Sequence, residues 1–128
     1  MSEIQVSGLP CRRFVGRDFG PELGSIPLIR GVIDEIDTEV IELLYKRSIA
    51  VLAATTFKPT LDAVAQNKRQ EEVVATAKQR AVDLRSPLEG FPEVVEDVYR
   101  IMVGGFVAMQ ELAWEQTVPV VTENDAHL

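Results

Sequence analysis

Residues 27–59 read PLIRGVIDEIDTEVIELLYKRSIAVLAATTFKP, and this stretch decides the fold. Its apolar residues recur in steps of three and four, the period of one face of a helix. This stripe consists of Ile29, Ile33, Ile36, Val40, Leu43, Ala50 and Ala54. Ser25 offers an N-cap, Pro27 suits the first turn, and Pro59 ends the run. We therefore expect one helix over residues 27–57, about 45 Å long at 1.5 Å per residue.

Two more helices are predicted further along the chain. The second covers residues 66–84, with Val73, Ala77 and Leu84 on its inner side, and RSPLEGFP interrupts the pattern after it. The third covers residues 92–117 and begins at a proline, as helices often do. Strand patterns are weak throughout. The class is therefore all-α, with three helices, one of them very long.

The predicted helical domain, residues 25–117, lies between two segments without a sustained period. Residues 1–24 hold four of the eight glycines and two of the seven prolines, and we interpret them as an N-terminal arm. Residues 118–128 are interpreted as a flexible C-terminal tail. At 128 residues the chain is long enough for one domain and hardly for two.

Composition excludes several classes of function. The net charge of −7 argues against a nucleic-acid binder, which needs a basic face. No run approaches 18 apolar residues, so we expect no membrane span. The single cysteine, Cys11, permits no internal disulfide and fits a reducing cytoplasm. The sequence CRRFVGR is followed by no apolar segment and is therefore not interpreted as an export signal.

The length of the first helix predicts a dimer. A 45 Å helix projects beyond a single core of about 100 residues, whose radius of gyration is about 13 Å. Its apolar stripe then needs a partner, and a symmetric homodimer with two crossing long helices is the simplest arrangement. A coiled-coil homodimer without a pocket is the alternative.

Cations interrupt the apolar faces. Arg47 falls within the stripe of the first helix, where an unpaired guanidinium would cost several kcal/mol. Either an acid from another helix or a ligand anion must pair with it. Lys58 follows three turns later on nearly the same side, about 16 Å along the axis. Arg30 lies about 25 Å from Arg47 along the axis, so in a crossed dimer it would approach Arg47 and Lys58 of the other chain.

The other two helices add an inward arginine and an inward amide. Arg69 precedes Val73 by four residues, and Gln110 falls in the series Phe106, Gln110 and Ala113. The whole set, Arg30, Arg47, Lys58, Arg69 and Gln110, suits a small ligand with two carboxylates. It contains neither a nucleophile with a base nor a metal cluster. We therefore expect no cofactor and no metal, and chemistry by positioning and electrostatic stabilisation.

Each of these residues also has a purely structural interpretation. Arg47 could pair with Glu72 or Glu96, and Arg30 with Asp34 four residues on. Lys58 could interact with a helix C-terminus, and Arg69 could be solvated. Gln110 could be satisfied by the backbone. His127 is expected to be solvated and Cys11 to be an incidental thiol.

The stretch LIRGVIDEIDTEVIELLYKR resembles the first helix of the all-helical chorismate mutases. The shared pattern is an Arg, then Ile-Asp with a second Asp three residues on, a Leu-Leu pair and a second Arg. The Lys three turns later, the Arg that opens the second helix and the Gln on the third also match. The resemblance covers residues 27–117. It implies an intertwined helical homodimer with two active sites, each built from both chains, that rearranges chorismate to prephenate without covalent catalysis.

The resemblance also implies a role for each matching residue. Arg30 from the partner chain would bind one carboxylate, and Arg47 the region of the other. Lys58 and Gln110 would hydrogen-bond the ether oxygen as the C–O bond breaks. Arg69 would line the pocket.

The sequence departs from the mutase pattern in two places. Gln70 stands where many mutases have a Glu that holds the ring hydroxyl, and Lys58 and Arg69 are 11 residues apart, one fewer than in some mutases. Both features, with Trp114 and Gln116, resemble the isochorismate pyruvate lyases, which share the fold and form salicylate and pyruvate. We favour the mutase and keep the lyase as an alternative. A catalytically weak interaction module that uses the arm is a third hypothesis.

Overall fold

The computed structural model describes residues 8–120. Within that range the chain is all-α and contains no strand. Its three α-helices are α1 (Ile26–Thr55), α2 (Asn67–Leu84) and α3 (Phe91–Glu115), with 3₁₀ turns at Pro21–Leu23 and Leu61–Ala63. The predicted class and the three helices are confirmed, with ends within two residues of the expected ones. The predicted tail from residue 121 onward, with His127, lies outside the described residues.

Local hydrogen bonds and a proline determine the two ends of helix α1. The Ser25 hydroxyl accepts a hydrogen bond from Leu28 N at 3.4 Å, as an N-cap does. At the other end, Thr56, Phe57 and Lys58 each donate their N–H to the carbonyl three residues back. This tighter winding ends the helix two residues earlier than predicted, and Pro59 then has no N–H to continue it. Lys58 therefore lies on a turn and not on the helix itself.

The chain divides into two compact units after Lys46, and each is described by itself. The described part of the first unit contains residues 8–25 and the first two-thirds of α1. In residues 8–25, Phe14 and Phe19 pack edge to face with centroids 6.2 Å apart. The apolar side chains of α1 in this unit are largely exposed; they include Ile26, Leu28, Ile33, Ile36, Val40, Ile41 and Leu43.

The second unit begins at Arg47 and holds the end of α1 together with α2 and α3. Helices α2 and α3 pack along each other, and the apolar core consists of Val64, Val74, Ala77, Ala81 and Val103. Lys78 pairs with Glu96 at 3.2 Å, and Arg100 pairs with Glu71 at 3.1 Å, at the edge of this contact.

The predicted inner face of α2 is correct in its middle and wrong at its end. Ala77 is buried and Val73 half-buried, but Leu84 is 74% exposed. Leu84 is the last residue of α2, and Arg85 follows it in the left-handed conformation (φ 54°), which turns the chain away from the helix. None of the helices in residues 8–120 combines the length and apolarity that a membrane span requires.

Candidate active site

A cavity of about 340 Å³ lies in the second unit. The end of α1, the connection after it, the first turn of α2 and the middle of α3 form its walls. Its polar lining consists of Arg47, Lys58, Gln66, Arg69, Gln70 and Gln110, and its other lining residues are alanine, valine and phenylalanine. Among residues 8–120, the lining thus has three cations, three neutral amides and no acid, which favours an anionic ligand.

The structure brings together five of the six residues that the sequence analysis selected. Arg47, Lys58, Arg69, Gln70 and Gln110 all line the cavity. Arg30 does not; it belongs to the first unit and is exposed.

The ion pair considered for Arg30, with Asp34 on the same helix, does not form in the described part of the chain. The ion pairs found between residues 8 and 120 involve Lys78, Arg100, Glu71 and Glu96. Arg30 is therefore left with an exposed guanidinium that no carboxylate of this range neutralises.

Gln66 is a lining residue that the sequence analysis missed. It occupies the N-cap position of α2, and its side chain makes no capping hydrogen bond. Its carbonyl accepts from Gln70 N at 3.0 Å. Four residues separate it from Gln70, so the two amides share a helix face. That spacing was the signal in the sequence that could have identified it.

Arg47 is held by an aromatic ring. Its guanidinium carbon lies 5.3 Å from the centroid of the Phe106 ring, within the range of a cation–π contact. The acids considered as partners are not used, since Glu96 pairs with Lys78 and Arg100 and no ion pair joins Glu72 to Arg47 among residues 8–120. Arg47 is half-buried and lines the cavity, and its guanidinium makes no ion pair within residues 8–120, so its hydrogen-bond donors remain available.

Gln110 is buried and partly satisfied by the backbone. Its Nε2 donates to the carbonyl of Val51 at 3.3 Å, and the Thr55 hydroxyl donates to the same carbonyl at 2.9 Å. The second N–H of Gln110 and its Oε1 make no hydrogen bond within the described range. Every fully buried side-chain nitrogen or oxygen of that range has a partner, so the unpaired Oε1 of Gln110 has contact with accessible space.

Lys58 lies on the turn after α1 and is half-buried. Lys58 lines the cavity, and its carbonyl accepts a hydrogen bond from Trp114 Nε1 at 2.9 Å. Lys58 also lies at the C-terminal end of α1, since its N–H donates to the Thr55 carbonyl at 3.1 Å, so the helix-end interpretation stays an alternative. The first turn of α2, which carries Arg69 and Gln70, contributes the positive end of a helix dipole to the same cavity.

Gln70 is oriented by its neighbour Asn67. Its Nε2 lies 3.5 Å from Asn67 Oδ1, a long hydrogen bond within the first turn of α2.

In the described part of the chain, no three residues of the types His, Cys, Asp and Glu converge on a point where a metal ion could bind.

The comparison with known proteins identifies one family. The model of the family described as chorismate mutase type II matches residues 29–111, which is 83 of the 128 residues. The matched range includes all the residues that line the cavity. No curated protein and no solved structure shows significant similarity to the chain.

Proposed function

The chain belongs to the chorismate mutase type II family, and we propose that its cavity converts chorismate to prephenate. The observation that carries this proposal is the lining itself. In the described part of the chain, three cations and three amides line a space of about 340 Å³, and no acid of that part lines it. Chorismate carries two carboxylates, and such a lining compensates their charge while it leaves the neutral ring to the apolar walls.

The proposed reaction needs no nucleophile and no proton transfer. In the Claisen rearrangement the ether C–O bond breaks while a C–C bond forms within the same molecule, so atoms and electrons balance without a co-reactant. The protein then contributes in two ways. It holds the substrate with its two reacting carbons close together, and it stabilises the negative charge that develops on the ether oxygen.

We assign Lys58 and Gln110 to that oxygen. The Lys58 ammonium offers charge and donors, and Gln110 still has one N–H after its bond to Val51. Since the Gln110 amide is buried, a hydrogen bond from it acts in a region of low dielectric. Both contacts strengthen as the C–O bond lengthens, which is the condition for an effect on rate.

We assign Arg47 to bind one carboxylate of the substrate. Arg69 is assigned to line the cavity wall beside that carboxylate. The Phe106 ring lies 5.3 Å from the Arg47 guanidinium carbon and leaves its N–H donors free for bidentate binding of a carboxylate. Gln70 is assigned to the ring hydroxyl, for which its amide offers a neutral hydrogen-bonding group.

We assign Arg30 to the active site of a second subunit. It does not line the cavity of its own chain, and the apolar stripe of α1 around it is exposed. A homodimer in which two α1 helices cross would cover that stripe and bring in Arg30 of the partner subunit. We propose that each active site is shared in this way.

The free thiol of Cys11 is consistent with a reducing compartment, and the cytoplasm is the expected location.

A second candidate is isochorismate pyruvate lyase activity, which Gln70 and the 11-residue spacing from Lys58 to Arg69 favour. Purified protein incubated separately with chorismate and isochorismate distinguishes the two. Prephenate from chorismate supports the mutase, and salicylate with pyruvate from isochorismate supports the lyase. If neither substrate is converted, the proposal is wrong and the interaction module becomes the better hypothesis.

A further inference from the structure

Three residues of α3, spaced four apart, contact the end of α1 or the turn that follows it. Phe106 lies under the Arg47 guanidinium, Gln110 donates to the Val51 carbonyl, and Trp114 donates to the Lys58 carbonyl. The first two line the cavity, whereas Trp114 lines neither it nor the smaller apolar groove beside it. Trp114 also lies beyond residue 111, where the match to the family ends.

The Trp114 bond acts just past the end of α1, where one hydrogen bond, from the Lys58 N–H to the Thr55 carbonyl at 3.1 Å, still ties Lys58 to the helix. Lys58 is three residues past the last residue of α1 and is followed by a proline that cannot donate a hydrogen bond. Carbonyls at a helix end have no intrahelical partner. The indole N–H satisfies the Lys58 carbonyl at 2.9 Å and joins residues 56 positions apart in the chain.

We propose that Trp114 is a positioning residue that holds Lys58 at the cavity, an inference that rests on the proposed function. The lysine side chain is long and flexible, so the position of the Lys58 backbone determines the region that its ammonium group can reach. Indole is a donor only, and Trp114 is half-buried. Trp114 therefore fixes the turn through one directional bond, although it touches no substrate.

The test is a double-mutant cycle on binding and turnover. Trp114→Phe keeps an aromatic ring and removes the N–H, Lys58→Ala removes the ammonium, and the double variant combines them. Thr117→Val is the matched control, because it removes a hydrogen bond to the Trp114 carbonyl at the same helix end without touching Lys58. Binding of a stable bicyclic ether dicarboxylate, shaped like the cyclic transition state, is measured by calorimetry. Thermal unfolding checks that each variant is folded.

We expect Trp114→Phe to weaken binding of the diacid and to lower kcat, each by about 10- to 100-fold, as small displacements of catalytic groups do. KM should change by less than about threefold, because the carboxylate contacts remain. In the Lys58→Ala background the same change should have less than about a twofold effect on binding, since residues that act together are not additive. Thr117→Val should have little effect.

Additive effects of Trp114→Phe and Lys58→Ala would overturn the inference, as would unchanged binding and kcat in Trp114→Phe. Failure of the proposed function has a different signature, namely that the unsubstituted protein forms no prephenate. If that protein also fails to bind the diacid, the inference falls with it, because Lys58 then faces no anion. If it binds the diacid without turnover, the binding cycle still decides the role of Trp114.

Discussion

At the scale of single residues, the site concentrates positive charge in a protein that is acidic as a whole. The chain carries a net charge of −7, yet Arg47, Lys58 and Arg69 line one cavity, and no acid between residues 8 and 120 lines it with them. Like charges that converge repel one another unless an anion is bound. Binding of an anionic ligand therefore relieves the repulsion between the three cations. In a structural ion-pair network, acidic side chains of the protein itself would relieve it.

Replacement of Lys58 tests the charge assigned to the ether oxygen. We expect Lys58→Ala to lower kcat/KM by about 10²- to 10³-fold, corresponding to about 2.7–4 kcal/mol, as removal of one oxyanion-hole donor does. Initial rates of prephenate formation give the measurement. Lys68→Ala is the control, because Lys68 is an exposed lysine on the first turn of α2 that does not line the cavity. Unchanged turnover in Lys58→Ala would refute the catalytic assignment.

Gln110→Glu tests the neutral donor and has a defined dependence on pH. At pH 7.5 the introduced carboxylate offers no proton to the ether oxygen and repels the dianionic substrate, so we expect kcat/KM to fall by about 100-fold. The usual pKa of glutamate is about 4.3, and the protonated acid can donate. Activity should therefore rise as the pH is lowered through 5.

A pH series of kcat/KM for Gln110→Glu, beside the unsubstituted protein, measures this recovery. Gln79→Glu is the control, since Gln79 is an exposed residue of α2 outside the cavity. A Gln110→Glu variant as active at pH 7.5 as the unsubstituted protein would show that this amide does not face the reacting oxygen.

At the scale of elements, α3 serves both the core and the site. Val103 is buried in the apolar core and also lines the cavity, together with Phe106 and Gln110 of the same helix. Gly104 and Gly105 lie between them on the exposed side, and a Cβ added at either position would meet nothing within 4 Å. Glycine in the middle of a helix is destabilising relative to alanine.

We therefore expect Gly104→Ala to stabilise the fold by about 0.5–1 kcal/mol. Chemical denaturation measures this free energy of unfolding. Gly90→Ala is the contrasting variant, because Gly90 has φ 86° at the start of α3, where a side chain is strained, and it should destabilise. If Gly104→Ala destabilises instead, a second subunit packs against this face of α3.

At the scale of the whole molecule, the proposed homodimer predicts that two inactive variants restore each other. Arg30→Ala and Lys58→Ala subunits are mixed in denaturant and refolded together. If Arg30 acts across the interface, each mixed dimer has one intact site, so random pairing gives about a quarter of the unsubstituted activity. If Arg30 acts within its own chain, the mixture stays inactive.

Light scattering controls this experiment, because the refolded mixture must have twice the 14.2 kDa mass of one chain. Each variant refolded alone gives the baseline for activity. A mass of one subunit at the assay concentration would contradict the shared site, whatever the activity of the mixture.

The helices and most of the polar lining could be predicted from the sequence because both depend on neighbours in the chain. The Ser25 cap, Pro59 and the step of three and four act within one or two turns. The same periodicity placed Gln110 on an inner face, and it is buried. Leu84 was misplaced because its exposure depends on the turn that follows it and not on its position in the period.

Only the tertiary structure decided which groups the site residues contact. The partners of Gln110 and Trp114 lie 59 and 56 positions away in the chain, at Val51 and Lys58. No local period specifies such pairs, because they form only when α3 packs beside the end of α1 and buried polar groups must find partners there. The sequence alone thus determined the elements and the chemical types of the lining residues, and packing decided that a ring, not an acid, holds Arg47.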